Sequence, residues 1–123
     1  VQSPGTFNSL GMVKIIFPNR FSVYLHDTNH RDYFEKNDRS ISSGCVRVEN
    51  PLELTEYLLN DEVNWSLEKI TETLQNERTK FVKIKKRVSF HLLYWTAWSE
   101  NNKLIFRDDI YNLDANLYNQ LRN

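Results

Sequence analysis

The chain contains little cysteine, glycine or proline, and each shortage excludes a class of structure. Its 123 residues include one cysteine, so it can form neither an internal disulfide nor a paired-cysteine metal site. Three glycines and three prolines, without an internal repeat, are typical of a compact globular piece rather than a linker. The length permits one domain at most.

Excess charge of one sign and long apolar runs are missing as well. Sixteen Lys and Arg residues balance sixteen Asp and Glu residues, which argues against a protein that binds polyanions, nucleic acid included. No apolar run approaches the roughly 20 residues that a membrane-spanning helix needs. The chain begins at Val1 and its one methionine is Met12, so we expect a processed form or a fragment.

One histidine and the one cysteine are placed to act as a base and a nucleophile. Residues 22–26 alternate polar and apolar side chains, which predicts a strand ending at His26. Cys45 follows a small, polar segment in which Gly44 can adopt backbone conformations that other residues resist. A thiol that loses its proton to an imidazole attacks carbonyl groups, and backbone N–H groups of Gly44 and Cys45 could hold the oxyanion. The alternative is a buried cysteine that packs as a small hydrophobic residue.

Three neighbouring side chains bear on this pair. Tyr24 shares a strand face with His26, because strand side chains alternate, and it lines a pocket or packs in the core. Asp27 points the opposite way, so we expect a backbone carbonyl group to orient the imidazole. Arg47 could hold a substrate carboxylate by a forked hydrogen bond, or form a salt bridge within its own loop.

Two segments together resemble the active-site signature of the YkuD-type L,D-transpeptidases, most closely the YcbB-like branch. They are residues 24–28, Tyr-Leu-His-Asp-Thr, and residues 42–48, Ser-Ser-Gly-Cys-Val-Arg-Val. The likeness extends upstream to Pro4-Gly5, Asn8 and Leu10-Gly11, and downstream to residues 106–111. Ser43 stands where the broader family usually has a second histidine, and the YcbB-like branch often carries serine there.

The resemblance implies a cysteine L,D-transpeptidase that acts on peptidoglycan stem peptides. Such an enzyme forms a thioester at Cys45, with His26 as the base, and passes the acyl group to an amine to give a 3→3 cross-link. It implies no metal and no organic cofactor, a location in the periplasm or cell envelope, and carbapenem inhibitors that acylate Cys45. The implied oxyanion and substrate-binding residues are Gly44, Ser43, Tyr24 and Arg47.

We expect an α+β fold with a mainly antiparallel sheet, of the β-sandwich type of L,D-transpeptidases, and flanking helices after the Cys motif. Hairpins are predicted from residues 12–17 with 22–26 and from residues 90–98 with 103–107, and a lone strand at residues 79–87. Helices are predicted at residues 30–36, after an Asn50 cap, near Ser66 and after an Asp114 cap. The lysine-rich face of residues 79–87 is predicted to be exposed, or alternatively to contact an anionic wall polymer.

Two other functions fit the residues. Cys45 and His91 have the chain order of NlpC-like thiol wall hydrolases, although those place the cysteine at the start of a helix. A catalytically silent wall-binding module is the second alternative.

The position of the Cys motif leads to an expectation about completeness. The family that the chain resembles has this motif late in its catalytic domain, whereas Cys45 comes early here. We therefore expect residues 1–123 to be the C-terminal part of an L,D-transpeptidase catalytic domain whose upstream part is missing. Its strands, at residues 12–17 and 90–98 especially, should present apolar faces or open edges.

Overall fold

The computed structural model describes residues 7–37, 39, 42, 44–76 and 78–122. The chain divides into two compact units, Val1–Val88 and Ser89–Asn123. The fold is α+β, as the sequence predicts. The first unit contains strands β1 (Lys14–Ile15), β2 (Leu25–His26) and β3 (Val46–Arg47), a 3-10 helix (Arg31–Glu35), and helices α1 (Pro51–Leu59), α2 (Glu62–Trp65) and α3 (Leu67–Gln75). The second contains β4 (Ala97–Glu100), β5 (Lys103–Phe106) and α4 (Asp114–Leu121).

A three-stranded sheet in the order β1-β2-β3 organises the first unit. β1 and β2 form the predicted antiparallel hairpin, with Lys14 opposite His26. Each strand is two residues long, much shorter than predicted. The reason lies in Asn19, whose side-chain oxygen accepts hydrogen bonds from the N–H groups of Phe21 and Val23, both at 3.0 Å. The amide thus takes backbone groups that a longer ladder would have used.

The helices after the cysteine begin close to the predicted positions. α1 begins at Pro51, although the side chain of Asn50 forms no capping hydrogen bond in the described structure. α3 begins next to Ser66, near which a helix was predicted, and the Ser66 hydroxyl caps it by accepting from the N–H of Lys69 at 3.4 Å. Asp61 caps the short helix α2, which the sequence did not predict. Among the described residues of this unit, the buried apolar side chains are Leu25, Pro51, Leu59 and Ile70.

Two strand predictions are wrong. Among the residues that the structure describes, 78–96 contain no strand, so neither the strand at 79–87 nor most of the one at 90–98 forms. The second hairpin exists but begins at Ala97, and it turns at Asn101 and Asn102, which have φ values of 51° and 60°. Two consecutive residues with positive φ match the twist of paired strands, which explains the turn. An apolar or β-branched run forms a strand only where a neighbour pairs with it.

The second unit carries its helix and many exposed apolar side chains. α4 begins at Asp114 after the N-cap residue Leu113, and the carboxylate of Asp109 accepts from the N–H groups of Leu113 and Asp114 at 3.0 and 2.8 Å. The predicted Asp114 cap is therefore wrong. Instead, the Asp114 carboxylate accepts a hydrogen bond from the hydroxyl of Thr96 at 2.9 Å. Exposed apolar side chains include Leu92, Leu93, Trp95, Ile110, Leu113 and Leu121.

Candidate active site

Parallel pairing of β2 with β3 joins the histidine segment to the cysteine segment. In the register, Leu25 lies opposite Val46 and His26 opposite Arg47. The N–H of Val46 also donates to the carbonyl group of Tyr24 at 3.1 Å. Tyr24 directly precedes β2 and Cys45 directly precedes β3, so the strand ends bring these two residues side by side. The sequence predicted a strand at His26 but not its pairing with the segment after Cys45.

The side chains expected at the site share one face of this sheet. Because side chains alternate along a strand, Tyr24 and His26 project from the same side of β2. Residues opposite each other in a sheet also share a face, which places Arg47, and by alternation Cys45, on that side. This arrangement allows a thiol, an imidazole, a phenol and a guanidinium group to act on one ligand.

His26 is held in a defined orientation. Its side chain is buried, and Nδ1 lies 2.5 Å from the carbonyl oxygen of Asp27. Since a carbonyl oxygen only accepts, Nδ1–H is the donor, and Nε2 of the neutral ring is left as a proton acceptor. The expected backbone carbonyl is therefore present, and it belongs to the next residue along the chain.

The side chain of Asp27 connects the end of β2 to neighbouring segments. It is buried. Its carboxylate accepts from the N–H of Met12 at 2.8 Å and from the N–H of Thr28 at 2.8 Å. Arg31 forms an ion pair with it at 2.6 Å and also donates to the carbonyl group of Glu49. Arg31 thereby links the end of β2 to the segment that follows β3.

Gly11 makes room for this carboxylate. Its φ of 61° lies in the left-handed region, and a Cβ placed there would be 2.3 Å from Cγ of Asp27. Any other residue would meet both backbone strain and a steric clash. Gly11 forms part of the resemblance, but nothing in the sequence points to its contact with Asp27.

The loop before Cys45 is held by Ser42 and Gly44. The Ser42 hydroxyl donates to the carbonyl group of Cys45 at 2.7 Å and accepts from the N–H of Gly44 at 3.3 Å. Gly44 has a φ of 128°, which favours glycine, and no described atom lies within 4 Å of a Cβ placed there. The backbone conformation thus explains the glycine, and the open space leaves access to the neighbouring thiol. Ser43, a predicted site residue, lies outside the described residues.

The pKa of Tyr24 is set by its neighbour Cys45. Cys45 is half-buried and free. A hydrogen bond with its side chain, followed by burial and then the charge of Cys45, raises the pKa of Tyr24. The neutral phenol is therefore stabilised as a donor to the sulfur. The Tyr24 ring also lies edge-on to His26, with centroids 5.7 Å apart, and the Lys14 ammonium group sits 3.7 Å from its centroid.

Arg47 is positioned by an aromatic ring rather than by an acid. Its guanidinium carbon lies 4.9 Å from the centroid of Tyr33. Within the described part of the chain it forms no ion pair, and its buried Nε has no hydrogen-bond partner. The salt bridge considered from the sequence is thus not found there. A guanidinium group without an acidic partner remains able to bind a carboxylate.

The remaining histidines are placed differently. His91 is exposed and belongs to the unit Ser89–Asn123, whereas Cys45 belongs to the other unit. Cys45 also precedes a strand, and α1 begins only at Pro51, unlike the helix-start cysteine of NlpC-like hydrolases. His30 is exposed and stacks on Tyr33, with centroids 4.9 Å apart. In the described ranges no group of three or more His, Cys, Asp or Glu could hold a metal ion.

A histidine oriented by a carbonyl group and a free cysteine next to it in the sheet form the kind of pair that can transfer an acyl group through a thiol. The family model of the L,D-transpeptidase catalytic domain, YkuD, matches residues 2–88. A Haemophilus influenzae protein named as a candidate L,D-transpeptidase is 36% identical over 110 residues, covering 89% of this chain and 22% of that protein. The chain therefore belongs to the YkuD family of L,D-transpeptidase catalytic domains. It spans about a fifth of the length of this curated relative.

Proposed function

We propose that the chain carries the active site of a cysteine L,D-transpeptidase that acts on peptidoglycan stem peptides. The observation that supports this most directly is the parallel pairing of β2 with β3, which sets His26 and Cys45 on one sheet face. Membership of the YkuD family supports the same class of reaction. All the proposed site residues fall within the matched residues 2–88.

Acylation begins when Nε2 of His26 takes the proton of the Cys45 thiol. The sulfur attacks the carbonyl carbon between the third stem residue and the terminal D-alanine, forming the C–S bond. The tetrahedral intermediate collapses as the C–N bond breaks. The imidazolium of His26 then gives its proton to the nitrogen of D-alanine, which leaves as a free amine. The product is a thioester at Cys45.

Transfer reverses these proton movements. An amine from a neighbouring stem peptide attacks the thioester carbonyl, and His26 takes a proton from the attacking nitrogen. The C–S bond breaks and the thiol regains a proton from the imidazolium, which completes a 3→3 cross-link. Water in place of the amine would give hydrolysis. The reaction requires neither a metal ion nor an organic cofactor.

The other site residues bind the substrate and its developing charge. The N–H of Gly44 already donates to Ser42, so the N–H of Cys45 is the better placed donor for the oxyanion. Tyr24 donates to the sulfur and lines the entrance to it. Arg47 holds a carboxylate of the stem peptide by paired hydrogen bonds. Ser43 is proposed to bind the substrate, as the resemblance implies.

The proposed location is the periplasm or cell envelope, where the stem peptides are found. Carbapenems would acylate Cys45 because their strained carbonyl group is attacked by the same thiolate. No helix among the described residues is long and apolar enough to cross a membrane.

A product assay tests the proposal. The chain is incubated with a disaccharide-tetrapeptide ending in D-alanine, and products are identified by tandem mass spectrometry. We expect release of D-alanine and a 3→3 cross-linked dimer, both lost in Cys45→Ala. Release of D-alanine without a dimer would make water the acceptor. Absence of both from a correctly folded chain would favour the silent wall-binding module.

A further inference from the structure

A strongly basic segment lies outside the candidate active site. Six of the sixteen Lys and Arg residues of the chain fall within residues 78–87, and no acidic residue lies among them. The segment is exposed and has no regular secondary structure. In a chain of zero net charge, this concentration produces a local positive potential that the overall composition hides.

Two of these cations fix the segment to the helices of the first unit. The Lys80 ammonium group lies 4.6 Å from the ring centroid of Trp65 in α2. Lys85 forms an ion pair at 3.7 Å with Asp61, the cap of that helix. These side chains line a polar cleft of about 660 Å³ together with α2 and α3. Ile84 between them is half-buried, so the segment is held with one side toward the helices.

The remaining cations are available for a partner. Four cations remain, and the three that follow Phe81 in the sequence, Lys83, Lys86 and Arg87, are exposed and form no ion pair among the described residues. Between the two anchors, Phe81 is 86% exposed. Exposing a phenyl ring to water is unfavourable. A ring flanked by lysines can be buried at a lipid surface, where acyl chains meet anionic headgroups.

We propose that residues 78–88 bind the anionic phospholipid surface of a membrane. Lys83, Lys86 and Arg87 would contact lipid phosphates, and Phe81 would enter the boundary between headgroups and acyl chains. The exposed phenyl ring favours a lipid surface over a solvated anionic polymer, because a polymer in water offers no apolar phase for it. This binding does not depend on the proposed chemistry of Cys45.

Vesicle binding by the whole chain tests the proposal. We expect association with phosphatidylglycerol–phosphatidylcholine vesicles that weakens with added salt, and no measurable association with phosphatidylcholine alone. Each Lys or Arg near such a surface strengthens binding roughly fivefold. The combined variant Lys83→Gln, Lys86→Gln, Arg87→Gln should therefore bind roughly 100-fold more weakly. Phe81→Ser should lose roughly fivefold, at high salt as well as at low salt.

A variant of equal net charge serves as the control. Arg20→Gln, Lys36→Gln, Lys103→Gln removes three exposed cations from other positions and should bind vesicles within about twofold of the original chain. Circular dichroism establishes that both triple variants are folded. Equal losses in the two triple variants, equal binding to neutral vesicles, or no binding to either vesicle would overturn the proposal. Binding to soluble polyglutamate as tight as to vesicles, and insensitive to Phe81→Ser, would overturn it in favour of an anionic polymer.

Discussion

At the scale of single residues, one hydrogen bond decides how the site can work. Nδ1 of His26 donates to the carbonyl oxygen of Asp27 at 2.5 Å, which leaves Nε2 to accept a proton. A carbonyl oxygen can only accept, so this contact fixes the tautomer with the hydrogen on Nδ1. The imidazole is therefore prepared to act as a base before a substrate arrives.

Substitution can decide which of two histidines, His26 or His91, acts as the base. His26→Ala should slow acylation by at least about two powers of ten, the usual scale for the loss of a general base. His91→Ala should leave acylation nearly unchanged, because this residue is exposed and lies outside the residues that match the catalytic-domain family model. Stopped-flow loss of the carbapenem absorbance measures both rates. An essential His91 with a dispensable His26 would instead favour the NlpC-like hydrolase.

The sequence predicts the reactive residues better than their support. Cys45, His26, Tyr24 and Arg47 carry distinctive chemistry at recognisable spacings, so they could be selected without a structure. The contact between Gly11 and Asp27 could not, because it joins residues sixteen positions apart through a left-handed backbone. Which carbonyl group would orient His26 was equally invisible, since every residue carries one.

At the scale of elements, the end of β2 is held in place by the buried carboxylate of Asp27. Asp27 accepts from Met12 and Thr28 and pairs with Arg31, so it ties the lead-in segment and the 3-10 helix to the strand that ends at His26. Arg31 extends this connection to Glu49, just beyond β3. The positions of both reactive strands thus share one support.

Gly11→Ala tests that support. The new methyl group would strain a left-handed backbone and press on Asp27, so we expect a loss of about 2–4 kcal/mol in the free energy of unfolding. Urea denaturation measures it.

A double-mutant cycle with Asp27→Ala provides the control. Asp27→Ala removes Cγ and Oδ2, two of the three Asp27 atoms that the methyl group would meet, so the two losses should be less than additive by at least about 1 kcal/mol. Additive losses would show that the contact between Gly11 and Asp27 does not cause the effect.

Helices could be predicted from the sequence more closely than strands. Pro51 and Ser66 act through their immediate neighbours, so local sequence is enough to locate α1 and α3. A strand needs a partner at a distance, and residues 79–87 and most of 90–98 have strand-like composition without one among the described residues. In the first hairpin, the Asn19 side chain shortened both strands by binding their backbone groups.

At the scale of the whole molecule, the candidate site belongs entirely to one unit. The family match, residues 2–88, and the first compact unit, Val1–Val88, coincide almost residue for residue. Ser89–Asn123 contains a hairpin and a helix with many exposed apolar side chains. That residues 1–123 form the C-terminal part of a larger catalytic domain stays a prediction, as does the β-sandwich arrangement.

The central claim is that Cys45 forms the acyl-enzyme, and intact-protein mass spectrometry with a carbapenem tests it most directly. We predict a single covalent adduct, with peptide mapping that places it on Cys45. The adduct should be absent in Cys45→Ala and should form much more slowly in His26→Ala, while both variants keep the original circular dichroism spectrum. No adduct on the folded chain, an adduct on another residue, or one that persists in Cys45→Ala would contradict the account.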